Sequence, residues 1–338
     1  MSRRSLRHWF GLITALAIGL FLPRPQMVNA ESVELPSPIS QQGRWVLSGR
    51  NPVIEAPALD EHYFYIYPNV VYIDQANKKG YLLAHIREDT DSDGKPEPSD
   101  DRNIHLFTFR PDAPDSVVHE GTLLAATGRQ EEEHAGGILE ASMVVIGRKA
   151  YVYYTSWVGS DNTLLATAEL DDMMGTITRA GVVMPRVALA VAYADGLFYG
   201  ISKGRSVDLY SSLDGRHWKL LARPLFDDGI DVDRGRDLKI LSKGLLWFTF
   251  RDTRLPTMGI TSRVFDLRSS RKRERKLGLW VAPTKTTVPL YNKGVDSPTV
   301  FTYAGKWYMY IGGMTYQDSP AGSRNDTKVL LFEWKEET

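Results

Sequence analysis

Residues 296–310 read DSPTVFTYAGKWYMY. An acid and a small residue lead into a β-branched run, Ala304-Gly305 makes a tight turn, and an aromatic stretch with period-two alternation returns. This is a hairpin. Four other stretches follow the same plan: 68–84 (PNVVYIDQANKKGYLLA), 140–154 (EASMVVIGRKAYVYY), 186–201 (RVALAVAYADGLFYGI) and 236–250 (RDLKILSKGLLWFTF). Their turn glycines are Gly80, Gly147, Gly196, Gly244 and Gly305, so the spacings by subtraction are 67, 49, 48 and 61. A period near 48 lies within the ~40–50 residues of a four-stranded propeller blade. The two long intervals each hold an insertion, 89–101 and the basic stretch 268–276.

From residue 40 onward no long stretch places apolar residues at i, i+3, i+4 and i+7, so the chain reads as all-β. The expected fold is a five-bladed β-propeller. Arg44-Trp45-Val46-Leu47 would pair beside residues 328–334, removing the open sheet edge. A β-sandwich of hairpins shares the hairpin periodicity and stays open as the alternative.

The chain has 338 residues with 41 Lys+Arg, 41 Asp+Glu and no Cys. Zero net charge argues against a nucleic-acid partner held by phosphate neutralisation. The missing cysteines exclude disulfides, thiol nucleophiles and thiolate metal sites. At the N-terminus, Arg3, Arg4 and Arg7 precede an apolar run from Trp9 to Leu22, and Val28-Asn29-Ala30 offers small residues for signal cleavage. Residues 1–30 are read as a signal peptide and 31–338 as one exported domain, periplasmic or secreted, with no stable membrane insertion after cleavage. An uncleaved anchor is the alternative reading of the run, which falls short of the ~20 apolar residues of a span.

On these residues the chain resembles the five-bladed propeller glycosidases, the arabinanase and β-xylosidase family with its invertase and levansucrase relatives. The likeness rests on the Asp296-Ser297-Pro298 hairpin with Gly305-Lys306-Trp307-Tyr308-Met309-Tyr310, and on Ser212-Leu213-Asp214-Gly215-Arg216-His217-Trp218, similar to a turn of those enzymes. Asp214 and His217 are read as structural parts of that turn. The resemblance implies a carbohydrate substrate or ligand in the central funnel, where the heads of the first strands converge.

The repeat alignment puts Glu140, Arg186, Arg236, Asp237 and Asp296 at those heads. The first unit supplies Asn69, with Asp60, His62 and Tyr67 just upstream. Inverting glycoside hydrolysis needs a carboxylic acid for the leaving oxygen and a carboxylate to activate water, ~6.5–9.5 Å apart. Resemblance makes Glu140 the general acid and likens Arg236-Asp237-Leu238 to an Arg-Asp-Pro element whose Asp holds the sugar and tunes the acid. The family's first-blade Asp is replaced here by Tyr67-Pro68-Asn69, so Asp296 or Asp60 is the expected base. Arg186, Arg236, His62, Tyr67 and Asn69 are the expected substrate contacts. A non-catalytic propeller binding a glycan or an envelope protein is the competing reading, and a calcium-dependent nucleotidase on the same scaffold is the third.

Residues 89–100 read DTDSDGKPEPSD, matching D-x-D-x-D-G with a carboxylate at position twelve. Alternating acids set oxygens on one side of a tight loop, so Asp89, Asp91, Asp93, the Lys95 carbonyl and Asp100 are expected Ca2+ ligands. Glu131-Glu132-Glu133-His134 lacks a zinc spacing and reads as an exposed loop, as does the basic stretch 268–276.

Overall fold

The computed structural model describes residues 36–40, 42–60, 62–88, 102–127, 137–157, 161–204, 206–226, 232, 236–242, 244–252, 259–268, 273–282, 291, 294–317 and 324–337. The signal-type segment 1–30, the expected calcium loop 89–100 and residues 131–134 lie outside the described residues.

A helical turn, α1 (Ser37–Ser40), precedes β1 (Gly43–Leu47), β2 (Ile54–Glu55) and a second turn, α2 (Ala56–Leu59). An antiparallel meander follows: β3 (Tyr63–Asp74), β4 (Lys79–Glu88), β5 (Arg102–Arg110) and β6 (Ala113–Leu124). The next contains β7 (Ile138–Ile146), β8 (Lys149–Trp157), β9 (Asp161–Glu169) and β10 (Thr178–Met184), with the turn α3 (Met173–Thr176) before its last strand. A third contains β11 (Leu189–Ala194), β12 (Leu197–Ser202), β13 (Val207–Ser212) and β14 (Lys219–Phe226). The fourth contains β15 (Arg236–Ser242), β16 (Leu245–Asp252), β17 (Gly259–Asp266) and β18 (Arg273–Val281).

Last come β19 (Gly294–Tyr303), β20 (Lys306–Gln317) and β21 (Arg324–Glu336). β21 pairs antiparallel with β1, from Gly43↔Glu336 to Leu47↔Phe332, and meets β3 in parallel at Thr327↔Tyr65. One nine-stranded sheet therefore joins β1–β6 to β19–β21, beside three sheets of four strands. The arrangement is a β-propeller fold.

Strand burial shows why the sheets stack face to face. Along β8, Ala150, Val152 and Tyr154 enter the core shared with β3–β6, whereas Tyr151 and Tyr153 enter the one shared with β11–β14. Period two thus serves two apolar faces at once. Further cores lie between β11–β14 and β15–β18, around Phe226 and Phe248, and between β3–β5 and β19–β21, around Phe109 and Tyr310. The first strands touch in sequence: β3 meets β7, β7 meets β11, β11 meets β15, β15 meets β19, and β19 meets β3.

Side-chain staples tie these strands together. Ser142 Oγ accepts from Val191 N at 3.1 Å, Asp237 Oδ2 from Val300 N at 2.8 Å and Thr299 Oγ1 from Val71 N at 3.0 Å. Each joins one first strand to the next.

Two sequence expectations are corrected. The basic stretch 268–276 is not wholly a loop, because Arg273–Lys276 begin β18 and pair with β17 from Asp266↔Arg273 to Arg263↔Lys276. Arg186 does not head the third first strand, because its backbone lies at φ +60, outside the β region, and β11 begins at Leu189.

Candidate functional site

Register shifts interrupt three first strands, at Pro68/Val70 midway along β3, at Leu139/Ser142 near the head of β7 and at Asp296/Thr299 near the head of β19. Such bulges re-aim side chains out of the ladder. Glu140 sits in the second at φ +50, a left-handed backbone that costs a non-glycine residue about 1–3 kcal/mol.

Glu140 is buried, and its Oε2 accepts from Arg236 Nη2 at 2.6 Å. Arg236 Nη1 donates to Ala188 O at 3.1 Å, so the guanidinium is fixed at two points. Glu140 Oε1 is buried without a hydrogen-bond partner. A narrow cavity of about 10 Å³ lies against it, lined by Asn69, Glu140, Ala141, Ser142, Leu189, Ala190 and Arg236. A larger space of about 260 Å³ continues along the first strands, with Asn69, Tyr72, Ser142, Tyr193, Arg236, Asp237 and Lys239 in its wall. Glu140, Arg236 and Asn69 are thereby brought together, with Asp237 alongside.

Asp237 turns its oxygens elsewhere, Oδ1 to Lys239 Nζ at 3.0 Å and Oδ2 to Val300 N at 2.8 Å. The carboxylate expected to tune Glu140 is engaged by Lys239 and the backbone of β19, and the charged group touching Glu140 is Arg236. Asp296 is equally buried: Oδ2 accepts from Arg251 Nη1 at 2.6 Å and Oδ1 from Ser297 N at 2.7 Å.

The first unit divides. Asn69 is buried against His85, with Nδ2 3.1 Å from His85 Nδ1, and Tyr67 stacks on the same imidazole at 5.1 Å. Asp60 and His62 are exposed beyond α2, joined by His62 N donating to Asp60 Oδ1 at 2.9 Å. Neither lines the cavity at Glu140. Arg186 is also exposed, its backbone N donating to Asn162 Oδ1 at 2.8 Å.

Arg251 and His85 were missed by reasoning from strand heads, because both stand on second strands, β16 and β4. A charged or imidazole group inside an otherwise apolar strand is the signal that points to them. A third buried group, His105, stands on the third strand of its meander, β5. His105 joins Glu88 (Nε2 to Oε1, 3.0 Å) to His119 (Nδ1 to Nε2, 3.1 Å). Burial alone would raise Glu88, but hydrogen bonds from His105 and Asn103 outweigh it and hold the carboxyl below its usual range. Burial, then the charge of His105, lowers His119. Among the described residues no cluster of three or more His, Asp or Glu is placed to hold a metal.

Asp214 behaves as a turn residue. It accepts from the backbone of Arg216 and His217 at 2.8 and 2.9 Å, and those bonds, with the His217 ring, hold it far below the usual carboxylate range. Gly215, at φ +73, is needed there because a Cβ would strike the Tyr153 hydroxyl.

No protein-family model and no curated protein matches the sequence. Solved structures do. A glycosyl hydrolase from Bacteroides ovatus aligns over 90% of this chain and 96% of its own at 14% identity and a TM-score of 0.65. The β-1,2-mannobiose phosphorylase of Listeria innocua, complexed with β-1,2-mannobiose, aligns over 85% and 96% at 14% identity and a TM-score of 0.58. An α-L-arabinofuranosidase from Podospora anserina, complexed with cellotriose, aligns over 89% and 98% at 12% identity and a TM-score of 0.60. At these identities the likeness is one of fold. The chain shares the β-propeller fold of glycoside hydrolases and glycoside phosphorylases.

Proposed function

We propose that this chain is a five-bladed propeller, closed by β1 on β21, that cleaves a glycosidic bond in its central funnel with Glu140 as the catalytic carboxyl. The observation that carries the reading is Glu140 Oε1, a buried carboxyl oxygen with no protein partner, at a cavity shared with Arg236 and Asn69. Arg236 holds the other oxygen and so fixes the direction of the free one. In the inverting scheme Glu140 gives its proton to the leaving glycosidic oxygen. Asp296, oriented by Arg251, takes a proton from the water that attacks the anomeric carbon from the opposite face. Asp60 is the alternative base. Asn69, Tyr67 and His62 are proposed sugar contacts, and Asp237 supports the funnel from β15. We further propose that residues 1–30 direct export and that residues 89–100 bind Ca2+.

A second reading has its own support. Glu140, Asp237 and Asp296 each already hold a cation, Arg236, Lys239 and Arg251, as in a propeller that binds a glycan without cleaving it. One experiment decides. Purified protein is assayed on aryl arabinosides, xylosides, galactosides, mannosides and fructosides, with and without inorganic phosphate to separate phosphorolysis from hydrolysis. Glu140→Gln should lower turnover per folded molecule by ~10²–10⁴-fold, with the folded fraction measured alongside because the substitution also removes the charge that offsets Arg236. Glycan binding without turnover by the wild type establishes the second reading, and full activity in Glu140→Gln removes Glu140 from the chemistry.

A further inference from the structure

Five of the chain's 8 Trp form a single cluster. Ring centroids step from Trp334 to Trp45 (5.5 Å), to Trp280 (5.6 Å), to Trp247 (5.7 Å) and to Trp307 (5.5 Å). Trp247 and Trp45 are buried, as expected of packing between sheets, but Trp280 and Trp334 stay half-buried. They do so because a groove of about 420 Å³ opens between β1 and β18. Its size lies within the range of ligand pockets.

The lining combines three chemistries. Trp280 and Trp334 supply flat aromatic surface backed by the buried Trp45, and Leu279, 49% exposed, extends it. Among the described residues of the lining, Arg44, Arg275 and Lys276 supply positive charge against the single carboxylate of Glu337. The Nε1 donors of Trp45 and Trp334, two residues of this lining, are buried with no hydrogen-bond partner. A ligand suited to all three offers apolar C–H faces, several oxygen acceptors and negative charge.

We propose that the groove between β1 and β18 is a second ligand site, separate from the funnel, for an acidic saccharide such as a uronic-acid oligomer. The pyranose ring presents C–H faces to indole and hydroxyls to donors, and its carboxylate meets the arginines. An extended peptide fits less well. β18 is the last strand of its sheet, but Arg275, Lys276 and register shifts at Ile260/Thr261 and Thr261/Arg263 blunt that edge against strand addition. Zero net charge of the whole chain means that the local charge of the groove, rather than a global field, selects the anion.

The test titrates the full chain with tetrameric galacturonate, glucuronate and mannuronate, with neutral oligosaccharides of equal length and with oligoglutamate. Tryptophan fluorescence and calorimetry are the readouts. At least one uronate should bind ten or more times tighter than its neutral counterpart, with affinity falling as salt rises. Trp280→Ala should cut affinity tenfold or more. Arg275→Glu, at an exposed position that leaves the Trp packing intact, should do the same and flatten the salt dependence. Neither Trp280→Ala nor Arg275→Glu should alter turnover in the funnel, which separates the two sites. Failure of every uronate to bind, equal affinity for neutral sugars, tighter binding of oligoglutamate, or unaltered binding in Arg275→Glu would overturn the proposal.

Discussion

Arg236 and Glu140, 96 residues apart in the chain, meet at 2.6 Å between strands β15 and β7, which belong to two non-neighbouring sheets. Their side chains are 2% and 6% exposed, so this ion pair is buried. Removing one partner leaves a charge with nothing to offset its lost hydration.

Arg236→Ala should therefore destabilise the fold by about 3–5 kcal/mol. Arg236→Lys should recover little of it, because an ammonium cannot hold both Glu140 and the Ala188 carbonyl in the geometry of a planar fork. Urea unfolding of the two variants, combined with Glu140→Gln in a double-mutant cycle, checks this. Additive losses would show that the pair is not coupled.

Asp237 occupies in β15 the stapling role that Ser142 and Thr299 play in β7 and β19. Asp237→Ala should cost about 1–3 kcal/mol by leaving the Val300 N–H unsatisfied. Asp237→Thr should restore most of that stability. If turnover follows stability through this series, Asp237 serves the scaffold. If Asp237→Thr folds fully and loses turnover, its charge acts on the sugar.

His119 sets a pH dependence. Its folded pKa lies below the ordinary value because burial, and then the charge of His105, disfavours protonation. The unfolded chain binds that proton more readily, so the contribution is complete above about pH 6.5. It falls away as pH drops toward the folded value. Melting temperature should decline from pH 7.5 to 5.5, and His119→Gln should flatten that decline. An unchanged slope in the variant would rule out His119 as its source.

Calcium should raise the melting temperature of the full chain progressively with its concentration, by mass action. Chelation should reverse the shift and Asp91→Ala should abolish it. Binding that survives Asp91→Ala would place the ion away from residues 89–100.

The two-faced strands, the turn at Asp214-Gly215 and the pairing of residues 44–47 with the C-terminal strand were legible in the sequence, because period, glycine and β-branched content are local properties of a chain. So was the convergence of Glu140, Arg236 and Asn69, since a repeat puts equivalent residues at equivalent strand ends. The partners of the carboxylates were not. Whether Asp237 faces Glu140 or staples β19, and whether Asp296 meets Arg251, depends on bulges of one residue and on side chains from second strands. Arg186 missed its expected place through a single left-handed residue. Periodicity determines which residues reach the axis, whereas a buried charge takes whichever partner stands within hydrogen-bonding distance, and only the tertiary structure decides that.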